Sequence, residues 1–243
     1  MYTFTIRLAD INIQVNTKYE SISKRMKDYI INDNNIAFSI EVNDKKRNET
    51  KESLIRFNEG YSFDDDYVEY ISIHSLIADE LLNYDILLMH GSCLSIDGKG
   101  IIFTAASGTG KSTHSRLYRQ AYGDRVKMIN DDKPLLICKE DEIIACGSPW
   151  CGKHNLGCNE KVKLEAVVYL ERGIDNSIEL VNPSDVFEKL FIQTYHSKNK
   201  LNEIKAFNLL SKICKNTKMF KLKCNMNDDA PIISYNGIKN ELL

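Results

Sequence analysis

Two short polar stretches of the chain carry the residue types that handle phosphate groups. They are the run Ser107-Gly108-Thr109-Gly110-Lys111-Ser112-Thr113 and the pair Asp131-Asp132. Glycines let successive backbone N–H groups curl around an anion. A lysine in such a loop reaches the outer phosphates, and the following serine hydroxyl ligates Mg²⁺. The sequence therefore predicts that residues 107–113 bind ATP, with Lys111 as the mobile cation and Ser112 beside the metal.

The elements on either side of this run have the order that a phosphate-binding loop requires. The apolar residues 101–103 predict a buried strand directly before it, and a helix pattern from Thr113 to Tyr122 follows it. The N-terminus of that helix presents unpaired N–H groups and a positive dipole end to the same anion. The motif G-x-x-x-x-G-K-[ST] is complete except that Ala105 replaces its first glycine. The alternative is a glycine-rich turn that precedes a helix by coincidence.

The acidic pair follows the short apolar strand pattern of residues 126–129. Because the loop helix is short, this strand must be the next one after it, so its end should face the phosphates. One carboxylate can hold Mg²⁺, and the other can accept a proton from an incoming hydroxyl. The alternative is a solvated Asp-Asp turn before Lys133-Pro134.

A glycine-rich loop at residues 147–158 carries the only Trp of the chain. Glycine-rich loops at strand ends commonly carry functional sites. Gly147, Gly152 and Lys153 could thus close over the γ-phosphate or the phosphate acceptor. In the alternative interpretation, Pro149-Trp150 fills the edge of the core. The spacing of its Cys and His residues is not that of a standard zinc site.

Length and composition describe an ordinary globular chain. It has 243 residues, 43% of them hydrophobic, and a net charge of −2, which gives no indication of a nucleic-acid or membrane-surface partner. Seven cysteines, an odd number, favour reduced thiols in a cytoplasmic protein. The first residues lack the apolar region of a signal peptide, and no apolar stretch approaches the ~20 residues that span a bilayer.

Residues 1–60 are predicted to form a β-rich N-terminal subdomain packed on the core and adding strands to one edge. Period-2 alternation predicts strands at 2–8, 11–15 and 36–42, whereas 20–31 has a helical pattern. The polar run 43–53 is predicted to be a solvated loop, and 54–57 a further strand. Asp64-Asp65-Asp66 suits the N-terminus of a long helix.

Residues 61–243 are predicted to form the main domain, an α/β fold with a mixed α+β sheet. A β-hairpin with a turn at residues 97–100 leads into the loop strand, so the site is not built on a simple βαβ unit. Further strands are predicted at 135–138, 143–146, 162–170 and 218–223, with helices at 184–196 and 200–216.

Three motifs taken together resemble a known family. Met89-His90-Gly91, the loop at 107–113 and Asn130-Asp131-Asp132 occur in the order found in HPr kinase/phosphorylase. ATP-dependent phosphoenolpyruvate carboxykinase shares that nucleotide-binding core. The run from Gly147 to Lys153 is similar to shorter HPr-kinase-like proteins encoded beside peptide-modification genes. The resemblance covers about residues 86–172.

The resemblance implies a P-loop kinase that transfers the γ-phosphate of ATP, with Mg²⁺, to a hydroxyl, such as that of a serine in a peptide or protein, or of a small molecule. It implies Asp131 as the catalytic base, Asp132 with Ser112 at the metal, and His90 as an active-site histidine. The alternative for His90 is a core histidine bonded to backbone.

The family forms hexamers, so a homo-oligomer is possible. No HPr-docking segment is present. The other candidate functions are an NTPase switch and a non-catalytic nucleotide-binding module.

Overall fold

The computed structural model describes residues 1–58 and 60–242 and divides into two compact units, Met1–Leu81 and Leu82–Leu243. The elements of the first unit are, in chain order, β1 (Tyr2–Leu8), β2 (Ile11–Thr17), α1 (Glu20–Arg25), β3 (Ile30–Ile31), β4 (Phe38–Glu41), α2 (Asp44–Phe57) and α3 (Asp65–Leu81). The division thus differs from the predicted boundary after residue 60, because α3 belongs to the first unit. No helix in the described part of the chain is long and apolar enough to cross a bilayer.

A four-stranded sheet in the order β3-β1-β2-β4 forms the first unit together with its helices. β1 and β2 make an antiparallel hairpin whose turn residues, Ala9 and Asp10, both have positive φ (47° and 70°), as a two-residue hairpin turn requires. Ile6, Ile13 and Val15 are fully buried, which confirms the predicted alternation. Among the described strands these four pair only with one another, so the prediction that they extend the main sheet is wrong.

Helix α2 corrects two predictions. The polar run 43–53 is not a loop and 54–57 is not a strand, because Asp44–Phe57 is one continuous helix. The Asn43 side chain caps it by accepting a hydrogen bond from the Lys46 N–H. Thr50 is its one buried residue, so the helix lies on the surface and has almost no apolar face for a sequence pattern to detect.

The second unit contains the remaining strands and helices. They are β5 (Ile86–Leu88), β6 (Ser92–Ile96), β7 (Lys99–Thr104), α4 (Lys111–Tyr122), β8 (Val126–Asn130), β9 (Leu135–Cys138), β10 (Ile143–Cys146), β11 (Lys161–Arg172), β12 (Ser177–Leu180), α5 (Pro183–Phe191), α6 (Lys200–Asn216), β13 (Lys218–Cys224) and α7 (Ala230–Leu242). β12 was not predicted, and the helix predicted over 184–196 ends at Phe191.

The main sheet is mixed. Its path runs β5-β9-β10-β11-β7-β6-β8, and β13 pairs with both β11 and β12. β11 is parallel to β7 and β13 but antiparallel to β10. The hairpin β6–β7 is antiparallel and turns at Asp97-Gly98, as predicted. The structure therefore confirms a mixed α/β fold with mixed sheets.

Side chains of β7 alternate between two apolar layers. Ile102 packs in a cluster that contains Leu209 and Ile213 of α6. Ile101 and Phe103 pack in a second cluster, with side chains of α4 and α7. Because β7 is covered on both faces, its end fixes where the glycine-containing loop begins.

Candidate functional site

The loop between β7 and α4 uses its glycines for backbone conformation. Gly108 has φ +77° and Gly110 has φ +126°, and a Cβ built at either position would meet no atom within 4 Å. These positions therefore need glycine because of their dihedral angles and not because of crowding. Ala105, which replaces the first glycine of the motif, is fully buried and has no positive φ. The loop accommodates its methyl group without left-handed strain.

Lys111 begins α4 and folds back over the loop. Its Nζ donates a hydrogen bond to the Ala105 carbonyl at 2.9 Å, and the residue is 9% exposed. Burial lowers the pKa of Lys111, and the charge of Asp132 partly opposes that effect. The side chain is thus held at the mouth of the loop, near one of the two predicted acids.

Asn130 fixes the turn that carries the acidic pair. This fully buried side chain accepts hydrogen bonds through Oδ1 from the N–H groups of Asp132 (2.8 Å) and Lys133 (2.6 Å). Its Nδ2 donates to the Ser148 carbonyl at 3.0 Å. One amide side chain therefore shapes the turn and ties it to the loop at 147–158.

Asp132 is held between the side chains of His90 and Lys133. Its Oδ1 lies 3.2 Å from His90 Nε2, and its Oδ2 lies 2.7 Å from Lys133 Nζ. Burial acts to raise the pKa of Asp132, but the hydrogen bond from His90 and the charge of Lys133 outweigh it and lower the pKa. The other ring nitrogen of His90, Nδ1, lies 3.1 Å from Gln193 Oε1. The predicted histidine and the second predicted acid thus form one hydrogen-bonded pair.

Asp131 faces the glycine-rich loop. The Gly152 N–H donates to its Oδ1 at 2.8 Å, and a Cβ on Gly152 would lie 3.2 Å from its Oδ2. Gly147 does not face Asp131 but packs against the backbone of Cys158. A Cβ built at Gly147 would come within 1.7 Å of the Cys158 carbonyl oxygen. Trp150 is buried. The loop therefore both fills the core edge and contacts Asp131 through Gly152.

A first cavity, of about 420 Å³, opens beside the start of α4. Its polar lining includes Ser112, Thr113, Arg116, Arg119, Asp131 and Lys153. It brings the predicted metal-binding serine, the first acid and the loop lysine together around one space, although Ser112 and Asp131 lie in separate elements.

A second cavity, of about 390 Å³, is lined by the glycine-containing loop itself. Its lining includes Gly108, Gly110, His114, Arg172, Asn225 and Met226. Arg172 donates to the Gly108 carbonyl at 2.7 Å. Burial lowers the pKa of His114 to about 4, and its Nδ1 has no hydrogen-bond partner in the part of the chain that the structure describes.

The oxygens near the loop suit a magnesium ion. Mg²⁺ is bound in proteins by one or two carboxylates together with substrate phosphates and water. No group of three or more His, Cys, Asp or Glu residues poised for a metal occurs in residues 1–58 and 60–242. A site made of the Ser112 hydroxyl, one carboxylate and phosphate oxygens does not need such a group.

Several residues of the site were not singled out from the sequence. Gln193 and Arg172 contact the site across 103 and 64 positions of chain, and no local pattern could reveal them. Arg116 and Arg119 did carry a signal, because they follow Ser112 at helical spacing and so share its face of α4.

Comparisons with known proteins give a partial structural match with a low TM-score. No protein family and no curated protein matches the chain. Among solved structures, the HPr(Ser) kinase/phosphatase from Coxiella burnetii matches with a TM-score of 0.36 and 13% sequence identity. The match covers 64% of this chain and 95% of that chain.

Proposed function

We propose that this chain is an ATP- and Mg²⁺-dependent kinase of the P-loop type that transfers the γ-phosphate to a hydroxyl acceptor. The observation that carries the proposal is that Ser112 and Asp131 line one cavity at the start of α4. A phosphate-loop serine and a carboxylate facing the same space are what transfer of a phosphoryl group to a hydroxyl needs. All residues given a role below lie in the second unit.

ATP would bind with its phosphates over residues 107–113. The amides of the loop and of the first turn of α4 supply hydrogen bonds to the phosphate oxygens, and Lys111 exchanges the Ala105 carbonyl for phosphate. The nucleoside would occupy the second cavity, where Met226 provides apolar surface.

The two acids would have different tasks. The lowered pKa of Asp132 keeps it ionised and makes it a weak base, so it suits the metal together with Ser112. Bound Mg²⁺ would neutralise charge that develops on the phosphate oxygens. Asp131 makes no ion pair with a lysine or arginine among the described contacts. It faces the first cavity, where the acceptor hydroxyl would enter.

In the transfer step the acceptor oxygen forms a bond to the γ-phosphorus while the bond to the β,γ-bridging oxygen breaks. ADP leaves with that electron pair, and Asp131 takes the hydroxyl proton. The N–H of Gly152 orients the carboxylate for this role through its bond to Oδ1. His90 acts by holding Asp132.

A nucleotide switch or a non-catalytic module would not need these groups. Either would retain the loop, but neither requires a carboxylate such as that of Asp131 facing the same cavity as Ser112. A switch would release phosphate to water whether or not an acceptor is present, whereas a module would bind ATP without turnover.

The test follows transfer of label from γ-labelled ATP to a panel of serine and threonine peptides and small hydroxyl compounds, with magnesium titrated. Asp131→Asn should reduce transfer by about 10²–10⁴-fold while ATP affinity is kept. Asp132→Asn should instead raise the magnesium concentration needed. Wild-type transfer by both variants would contradict the mechanism. Release of free phosphate alone would favour the switch.

A further inference from the structure

The first cavity carries more positive charge than a triphosphate site requires. Arg116, Arg119 and Lys153 line it, and Asp131 is the one carboxylate among its described lining residues. Phosphates over the loop already have Lys111 and the helix N-terminus as counter-charges. The additional cations therefore have to be explained by something else that enters the cavity.

The two arginines lie too far along α4 to serve the phosphates. Arg116 and Arg119 follow Ser112 by four and seven residues. At about 1.5 Å per residue they lie about 6 and 10 Å further along the helix axis. Because the three residues share one face, the arginines extend the site away from the loop.

Arg119 has an unused donor. Its side chain is half-buried, and its buried Nε has no hydrogen-bond partner within residues 1–58 and 60–242. A buried guanidinium donor without a partner is costly. Arg116, by contrast, donates to Gln120 at 2.9 Å. Of the two arginines, Arg119 is therefore the one whose side chain is less engaged by protein partners among the described contacts.

Lys153 faces the same space from the opposite element. It belongs to the turn in which the Asn155 N–H donates to the Gly152 carbonyl at 2.9 Å, directly after the residue that binds Asp131. An anion between Arg119 and Lys153 would thus lie beside the position of the reacting hydroxyl and on the side away from the nucleotide.

We propose that the acceptor carries an anionic group, a carboxylate or a phosphoryl group, that Arg119 and Lys153 bind while its hydroxyl faces Asp131. This inference rests on the proposed kinase function and names the class of its substrate. The bound anion would orient the hydroxyl toward Asp131, since two fixed points define the position of the acceptor better than one.

The test measures anion binding to protein saturated with Mg²⁺ and a non-hydrolysable ATP analogue, so that the loop is already occupied. Sulfate and succinate are titrated separately at constant ionic strength by calorimetry. Saturable binding is expected, and Arg119→Gln should weaken it about tenfold or more. Lys153→Gln, on an exposed turn, should also weaken it. Lys139→Gln, at the distant β9–β10 turn, should bind as wild type does.

Tighter succinate binding would assign a carboxylate, and tighter sulfate binding a phosphoryl group. No saturable binding of either anion, or equal affinity in the wild type and both cavity variants, would overturn the inference. Binding of the ATP analogue is measured first. If the analogue binds and the anions do not, the inference alone fails. If the analogue does not bind, the proposed function fails whatever the anions do.

Discussion

His90 Nε2 lies 3.2 Å from Asp132 Oδ1. The histidine follows β5 and the aspartate follows β8, so the contact joins two chain segments that are not neighbours in the sheet. The Gly91 N–H donates to the Asp132 carbonyl at 2.9 Å, which holds the two backbones together. The side-chain contact is therefore supported by backbone pairing next to it.

Replacing His90 should change the titration of Asp132. In His90→Phe the ring stays but its N–H is lost, so the pKa of Asp132 should rise. The pKa of Asp132 in the folded wild type lies below the unfolded value of about 3.9. The ionised carboxylate therefore stabilises the folded wild type at pH values above about 3.9, and this stabilisation is lost as the pH falls through the folded pKa. The variant should lose less stability on acidification.

Carbon-13 NMR of the aspartate carboxyl groups measures this shift directly. His196→Phe is the matched control, because it removes another histidine–carboxylate contact, to Glu203 at 2.7 Å. An unchanged pKa of Asp132 in His90→Phe would show that Lys133 alone lowers it.

Gly110→Ala should weaken ATP binding through the backbone. A non-glycine residue at φ +126° costs about 1–3 kcal/mol, and relief of that strain would rotate loop amides away from the phosphates. Gly98→Ala, at φ +77° in the β6–β7 turn, should lose stability but retain ATP affinity. Thermal unfolding and nucleotide titration of both variants separate the effects. Equal ATP affinity in Gly110→Ala and wild type would contradict this account of the loop.

The first unit depends on a buried ion pair. Arg47 Nη2 lies 2.6 Å from Oε2 of Glu69, whose side chain is 1% exposed. Arg47→Met would leave that carboxylate with the Thr17 hydroxyl and the Lys18 N–H, and should cost about 3–5 kcal/mol. Urea unfolding measures the loss.

Lys51→Met is the control for this pair. Lys51 and Asp65 form a solvent-exposed pair at 3.2 Å on the same two helices, α2 and α3, which should contribute below about 1 kcal/mol. Equal destabilisation by the two changes would mean that the buried pair has no special role.

The elements that the sequence predicts correctly are those whose structure is set by residues adjacent in the chain. The strand, glycine loop and helix over Lys99–Tyr122 are set by neighbouring residues, namely the apolar run, Gly108 and Gly110, and the stop at Gly123. The hairpin turn at Asp97-Gly98 likewise depends on residues that tolerate positive φ. These features need no knowledge of the rest of the fold.

Helix α2 shows where such reasoning fails. Its residues are almost all polar, so hydrophobic periodicity is absent and its last turn resembles a short apolar strand. The Asn43 cap, which accepts a hydrogen bond from the Lys46 N–H at 2.8 Å, was a local indication of a helix. Capping and surface pairs stabilise this helix, and a search for buried faces overlooks both.

The partners within the site depend on strand order. Gln193 reaches His90 only because the bridge between Met89 and Thr194 brings the end of α5 to β5. Arg172 reaches Gly108 because β11 runs parallel to β7. Sequence spacing predicted which groups carry the chemistry, but the contacts that hold them are set by the topology.

The most direct test of the central claim is ATP binding to Lys111→Ala. Calorimetry with ATP and Mg²⁺, under conditions without turnover, compares it with wild type and with Lys139→Ala. Because a charge-assisted hydrogen bond to phosphate contributes about 1.5–3 kcal/mol, the loss of Lys111 should weaken binding at least about tenfold, and Lys139→Ala should leave it unchanged. Equal affinity in all three folded proteins would contradict the assignment of residues 107–113 as the ATP site.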